Sequence, residues 1–195
     1  MRLYMATVRR WWVVPVAIVL LILACQGADE TAVPLPDLGG HFSGIATRYF
    51  TPLLVVLPML YCLERRLVAA EVTAAVPVSR WDGFVIVASA ALGAVAGLLV
   101  GFDITRNLML LLAVALMARR FGNEAAAGGI CLLIMLVTAS FGRAYGTVGH
   151  AVPRWWAVPL YPAASLVSWV VTLALFALGL RLCTDPRHRR GTQAS

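Results

Sequence analysis

Apolar residues run through this chain in long blocks, separated by short clusters of arginine, acid, proline and glycine. Six blocks stand out: Trp11 to Gly27, Ile45 to Leu63, Phe84 to Phe102, Ile104 to Ala118, Ala125 to Phe141 and Pro162 to Leu182. A helix crossing a bilayer takes about 20 mostly apolar residues, within a range of roughly 17 to 25. The pattern therefore predicts six transmembrane helices in one all-α integral membrane domain over residues 1–195, the fourth helix being short.

The third block carries no charge, and within it Ser89, Gly93, Gly97 and Gly101 recur every four residues. That spacing predicts a ridge of small side chains on which another helix backbone packs closely, since lipid supplies no hydrophobic drive between helices. The neighbour is either another helix of the chain or a second copy. Ser79-Arg80-Trp81-Asp82 reads as a capping box just before this block, and Asn123-Glu124 as a cap on the fifth. The tryptophans fall mostly at block ends, where an amphipathic ring suits the membrane surface.

Composition strengthens the membrane reading. Of 195 residues, 61% are hydrophobic and 13% charged, with a mean hydropathy of +0.85. Ordinary soluble domains are about half apolar and about a quarter charged. A water-soluble core of this length could not hide so much apolar surface.

The arginines set the orientation. Arg2, Arg9, Arg10, Arg65, Arg66, Arg80, Arg119, Arg120, Arg181, Arg187, Arg189 and Arg190 fall on one side of the predicted spans. Only Arg48, Arg106, Arg143 and Arg154 fall on the other. Positive flanks stay in the cytoplasm, so both termini are expected there. The start, MRLYMATVRR before WWVVPVAIVLLILAC, has the look of a secretory signal with a poor lipoprotein box at Cys25. An uncleaved anchor helix is the expectation.

Several chemistries drop out. All 16 basic residues are arginine. Without lysine the chain has no phosphate-binding G-x-x-x-x-G-K-[ST] loop and no Schiff-base amine. Any ATP and magnesium would belong to a partner. Cys25, Cys62, Cys131 and Cys183, and His41, His150 and His188, are scattered without metal-site spacing. No acidic pair or H-E-x-x-H lies within a span, so no enzymatic activity, cofactor or metal is expected of the chain. The net charge of +7 is spread over membrane flanks rather than gathered on one face, which speaks against nucleic acid.

The connections differ. Ala28 to Gly44 reads as an irregular external loop, and Asp103 to Asn107 as a tight turn in which Asp103 and Arg106, three apart, are candidates to pair at the surface. Gly142 to Tyr161 either dips into the outer leaflet or lies as an interfacial loop held by Trp155 and Trp156. On the cytoplasmic side, Glu64 to Val76 has helical composition: Val68, Val72 and Val76 share one face, Glu64 and Glu71 another, and Pro77 ends it. A docking helix and a plain surface helix fit these residues equally.

An acidic residue, a short amphipathic helix and a Pro-Val-Ser-Arg ending, placed between spans two and three of six, resemble the cytoplasmic loop of bacterial ABC type-2 permeases. The resemblance implies a coupling helix that docks on a separate ATPase subunit. By position it gives that role to Glu64, Arg65, Arg66, Glu71, Pro77, Val78, Ser79 and Arg80. It implies a multi-pass subunit of an ATP-driven exporter in a bacterial plasma membrane, paired with a second permease copy or paralogue. In the family, the segment before the sixth span often forms short re-entrant helices. The alternative expectation is a non-transporting membrane subunit, for immunity, assembly or anchoring, within a larger complex.

Overall fold

A computed structural model of the chain describes residues 10–27, 32–36, 42–64, 78–145 and 151–184. Among them are six α-helices: α1 Val13–Gly27, α2 Leu53–Glu64, α3 Val78–Val100, α4 Phe102–Phe121, α5 Glu124–Phe141 and α6 Leu166–Thr184. The fold is all-α apart from two small antiparallel hairpins. In one, β1 Ala32–Pro36 pairs with β2 Phe42–Ala46; in the other, β3 Arg143–Tyr145 pairs with β4 Ala151–Pro153. Single 3₁₀ turns occupy Thr47–Phe50 and Val158–Leu160.

Among the described residues, three helices are long and apolar enough to cross a membrane: α5, α6 and the Asp82–Val100 part of α3. Large apolar side chains face outward around the bundle. Val19 and Leu23 on α1, Leu54 on α2, Val95 and Leu99 on α3, Leu133 on α5 and Val170 on α6 are all exposed. A surface so broadly apolar does not suit water and does suit lipid. The chain associates with a membrane.

Helix α4 is the centre. It packs against α2, α3, α5 and α6, while α1 lies outside against α2 and α3. Ile104 to Leu108, Leu110 to Ala113, Ala115 and Leu116 are all buried, and only Met109 and Val114 between them are partly covered, more than a single helix face can provide. A helix buried on every side is normally apolar all round. Yet α4 is the helix that carries Asp103, Arg106, Asn107, Arg119 and Arg120.

The join between α3 and α4 differs from the expected turn at Asp103 to Asn107. Gly101 alone makes it, with φ +124°, a backbone that side chains other than glycine rarely adopt. Asp103 to Asn107 lie inside the first turns of α4, where Asp103 suits the positive end of the helix dipole. Gly93 and Gly97 face α4: a Cβ on Gly93 would strike Leu108, and one on Gly97 would strike Thr105. Thr105 Oγ1 donates to the Gly93 carbonyl at 3.0 Å, a bond the bare glycine makes reachable. Ser89 is buried, and its hydroxyl bonds back to the Val85 carbonyl. The small ridge thus packs within the chain through Gly93 and Gly97, and Gly101 serves the turn.

Other boundaries shift for physical reasons. Ile45 belongs to β2, and α2 starts only at Leu53, behind the 3₁₀ turn and Pro52. Ser79 to Asp82 already lie within α3 instead of flanking it. Ala28 to Gly44 is not irregular throughout, since β1 and β2 pair across it. Asn123 does cap α5, its Oδ1 accepting from the Ala126 amide at 2.8 Å.

Candidate functional site

The polar groups of α4 gather at its two ends. Near its start, Arg106 is fully buried, and among the described residues no carboxylate forms an ion pair with its guanidinium. The expected pairing with Asp103 does not form; Asp103 lies 3.8 Å from Arg48 instead. Arg106 Nη1 donates to the Pro162 carbonyl and to Ser168 Oγ, both at 3.1 Å. Its Nη2 donates to the Pro159 carbonyl at 2.9 Å and to Asn107 Oδ1 at 3.3 Å. Asn107 Nδ2 donates to the same Pro159 carbonyl at 3.2 Å.

This arrangement follows from the segment before α6. Pro159 lies in the short 3₁₀ turn and Pro162 in the irregular stretch after it, where the Pro162 carbonyl takes one amide, from Ser165 at 3.0 Å, and has a lone pair left to accept another donor. Such backbone is tolerated at membrane depth only when buried against protein that satisfies it. Arg106 does so with a planar fork of donors, which lysine lacks. Ser168 turns its own proton to the Ser165 carbonyl at 2.8 Å, leaving its oxygen free to accept from Arg106. The segment takes the form of a hairpin, β3–β4, followed by the Val158–Leu160 turn, with Ala157 and Pro159 buried. Trp155 is 86% exposed, whereas Trp156 is partly covered.

At the far end of α4 the chemistry repeats with different partners. Arg119 Nη2 donates to the Leu63 carbonyl at 2.7 Å, and its Nε lies 3.7 Å from the Glu64 carboxylate. Arg120 Nη1 donates to the Leu182 carbonyl at 3.1 Å. The last carbonyls of a helix lack internal partners. Here the arginines of α4 cap the closing turns of both α2 and α6.

Of the predicted coupling residues, Glu64 is the last residue of α2 and touches Arg119. Val78, Ser79 and Arg80 are in the first turn of α3. Arg65, Arg66, Glu71 and Pro77 lie outside the described residues. Sequence reasoning passed over Arg106, Asn107, Arg119 and Arg120 as a set. The available signal was charge within or bordering an apolar span, which is costly and therefore demands a partner.

Comparison of the chain with protein-family profiles, curated proteins and solved structures gives no match. Function has to be argued from the geometry.

Proposed function

We propose that the chain is the membrane-embedded permease subunit of an ATP-driven exporter, worked by a separate ABC ATPase chain. In this reading all six helices cross a bacterial plasma membrane, with the arginine-rich ends in the cytoplasm. A second permease copy or paralogue completes the path, and the ATPase grips Glu64 to Arg80 from below. The energetics require that the partner contact two conformations differently, not merely bind.

One observation carries the reading: α4 ties the departure point of that loop to the opposite end of the bundle. Arg119 holds Leu63 and Glu64, where the loop leaves α2, and Arg106 holds Pro159, Pro162 and Ser168. At about 1.5 Å per residue, the 20 residues of α4 extend about 30 Å, the depth of a hydrocarbon core. A push on the loop would act on a buried rod whose other end fixes the outer segment.

The deciding experiment is affinity purification from native membranes in mild detergent, identifying the chains that come with it. The expected companion carries a phosphate-binding loop and is lost when Glu64 to Arg80 is scrambled in a chain that still folds. Purification with partners of other kinds would overturn the permease reading in favour of a non-transporting subunit.

A further inference from the structure

A groove of about 260 Å³ runs between α2 and α5, outside both arginine clusters. Leu57, Leu60 and Leu132 form its apolar wall, and Ala125, Gly128 and Gly129 its floor. Glu124 stands at one end, in the first turn of α5. The floor is open because of the glycines. A Cβ on Gly128 would come 3.0 Å from Leu57, whereas one on Gly129 would meet nothing within 4 Å. Leu57 and Leu132 are each 47% exposed, so the groove opens sideways, toward lipid.

Charge picks the occupant. Glu64 and Arg119 both act electrostatically on Glu124. Arg119 is already engaged with Glu64 and the Leu63 carbonyl, and Glu124 forms no ion pair among the described residues. Among the described residues, two carboxylates and one guanidinium thus share this end of the apolar trough, leaving it negative on balance. A neutral chain would gain nothing from that end, and an anion would be repelled. The volume lies just under the roughly 300 to 1,000 Å³ of drug-sized sites, which favours a narrow chain over a fused ring system.

We propose that the α2–α5 groove binds a single-chain cationic amphiphile, its ammonium head on Glu124 and its tail along Leu57, Leu60 and Leu132. Binding of this kind does not depend on the chain being a permease. Failure of the ATPase companion to appear would leave it standing, and its own failure would leave the permease reading standing.

The test uses the full chain in phosphatidylcholine nanodiscs with a dodecyltrimethylammonium probe bearing a diazirine midway along its tail. After illumination, adducts are mapped by mass spectrometry. Labelling is expected to concentrate on Leu57, Leu60 and Leu132, and to fall about tenfold in Glu124→Gln, as loss of a charged contact implies. Gly129→Leu, whose Cβ would meet nothing within 4 Å and whose side chain fills the trough, should abolish it, while Glu124→Asp should retain much of it. Thermal unfolding of each variant identifies any that fails to fold, and the remaining variants then decide. Equal labelling by the same chain on an uncharged maltoside head would overturn the proposal. So would adducts scattered over the exposed leucines of α1, α3 and α6, or a crosslink to a second copy at the groove.

Discussion

Arg119 on α4 reaches the end of α2 twice, donating to the Leu63 carbonyl at 2.7 Å and lying 3.7 Å from the Glu64 carboxylate. The two contacts differ in worth. The carbonyl bond is short and shielded, whereas Glu64 is half exposed and its separation is long for an ion pair.

Arg119→Ala is accordingly expected to destabilise the protein by about 1–3 kcal/mol, the cost of a lost charged bond and a stranded carbonyl. Glu64→Gln should change stability by about 0–1 kcal/mol. Thermal unfolding in detergent compares them. Equal losses would show that the ion pair, not the carbonyl bond, fastens α2 to α4.

At the other end, Arg106→Met should cost about 1–3 kcal/mol, because the Pro159 carbonyl and the Ser168 hydroxyl lose a charged donor while Pro159 keeps Asn107 and Pro162 keeps the Ser165 amide. Arg106→Lys should recover little, since an ammonium cannot span acceptors arranged for a fork. Hydrogen exchange offers a local readout. Faster exchange at residues 157–169 is expected in both variants, and unchanged exchange there would remove Arg106 as the fastening of the segment before α6.

Gly101→Ala places a side chain where φ is +124° and crowds Asp103. A cost of about 1–3 kcal/mol is expected from backbone strain alone. Gly129→Ala, in open space on an ordinary helix, should be neutral or stabilising by about 0.5–1 kcal/mol. Opposite signs for the two glycines in one melting series would verify the assignment of the α3–α4 turn.

The lipid-facing surface is testable at Val95, which is 60% exposed on α3. On a water-facing helix Val95→Arg would be tolerated, but at bilayer depth it should cost about 2.5–3.5 kcal/mol in membrane insertion. A glycosylation-based insertion assay measures this directly. Unimpaired insertion would argue that this face of α3 does not meet hydrocarbon.

The loop reading has its own reversal. Glu71→Arg is expected to uncouple transport from ATP hydrolysis while leaving the fold intact. Full transport by that variant with its ATPase would sink the assignment of Glu71 to the coupling surface.

What was legible in the sequence was whatever depended on near neighbours. The span from Glu124 to Phe141 was readable because Asn123 marks its start and an unbroken apolar run follows. The exact turn at Gly101 was obscured because glycine there also continued a four-residue ridge. Pairing of β1 with β2 was hidden because prolines at positions 34 and 36 argue against strand locally. The arginine contacts were beyond reach for another reason: Arg106 meets Pro159 across 53 residues and Arg119 meets Leu63 across 56. Charge in an apolar helix announces that a partner exists but does not name it. The α2–α5 groove likewise exists only once two distant stretches lie side by side.

The one-residue join at Gly101 has a mechanical corollary. Two long helices sharing so short a link cannot slide lengthwise past each other by a turn. They can only splay or close, like the arms of a pair of calipers whose joint is the glycine. Displacement would be least at Gly101 and greatest at the far tips, Val78 on one arm and Arg119 with Arg120 on the other. One tip is where the chain enters α3 and the other is where α4 holds the last residues of α2, so the longest leverage on this pair lies at the end of the bundle where Arg119 meets Glu64.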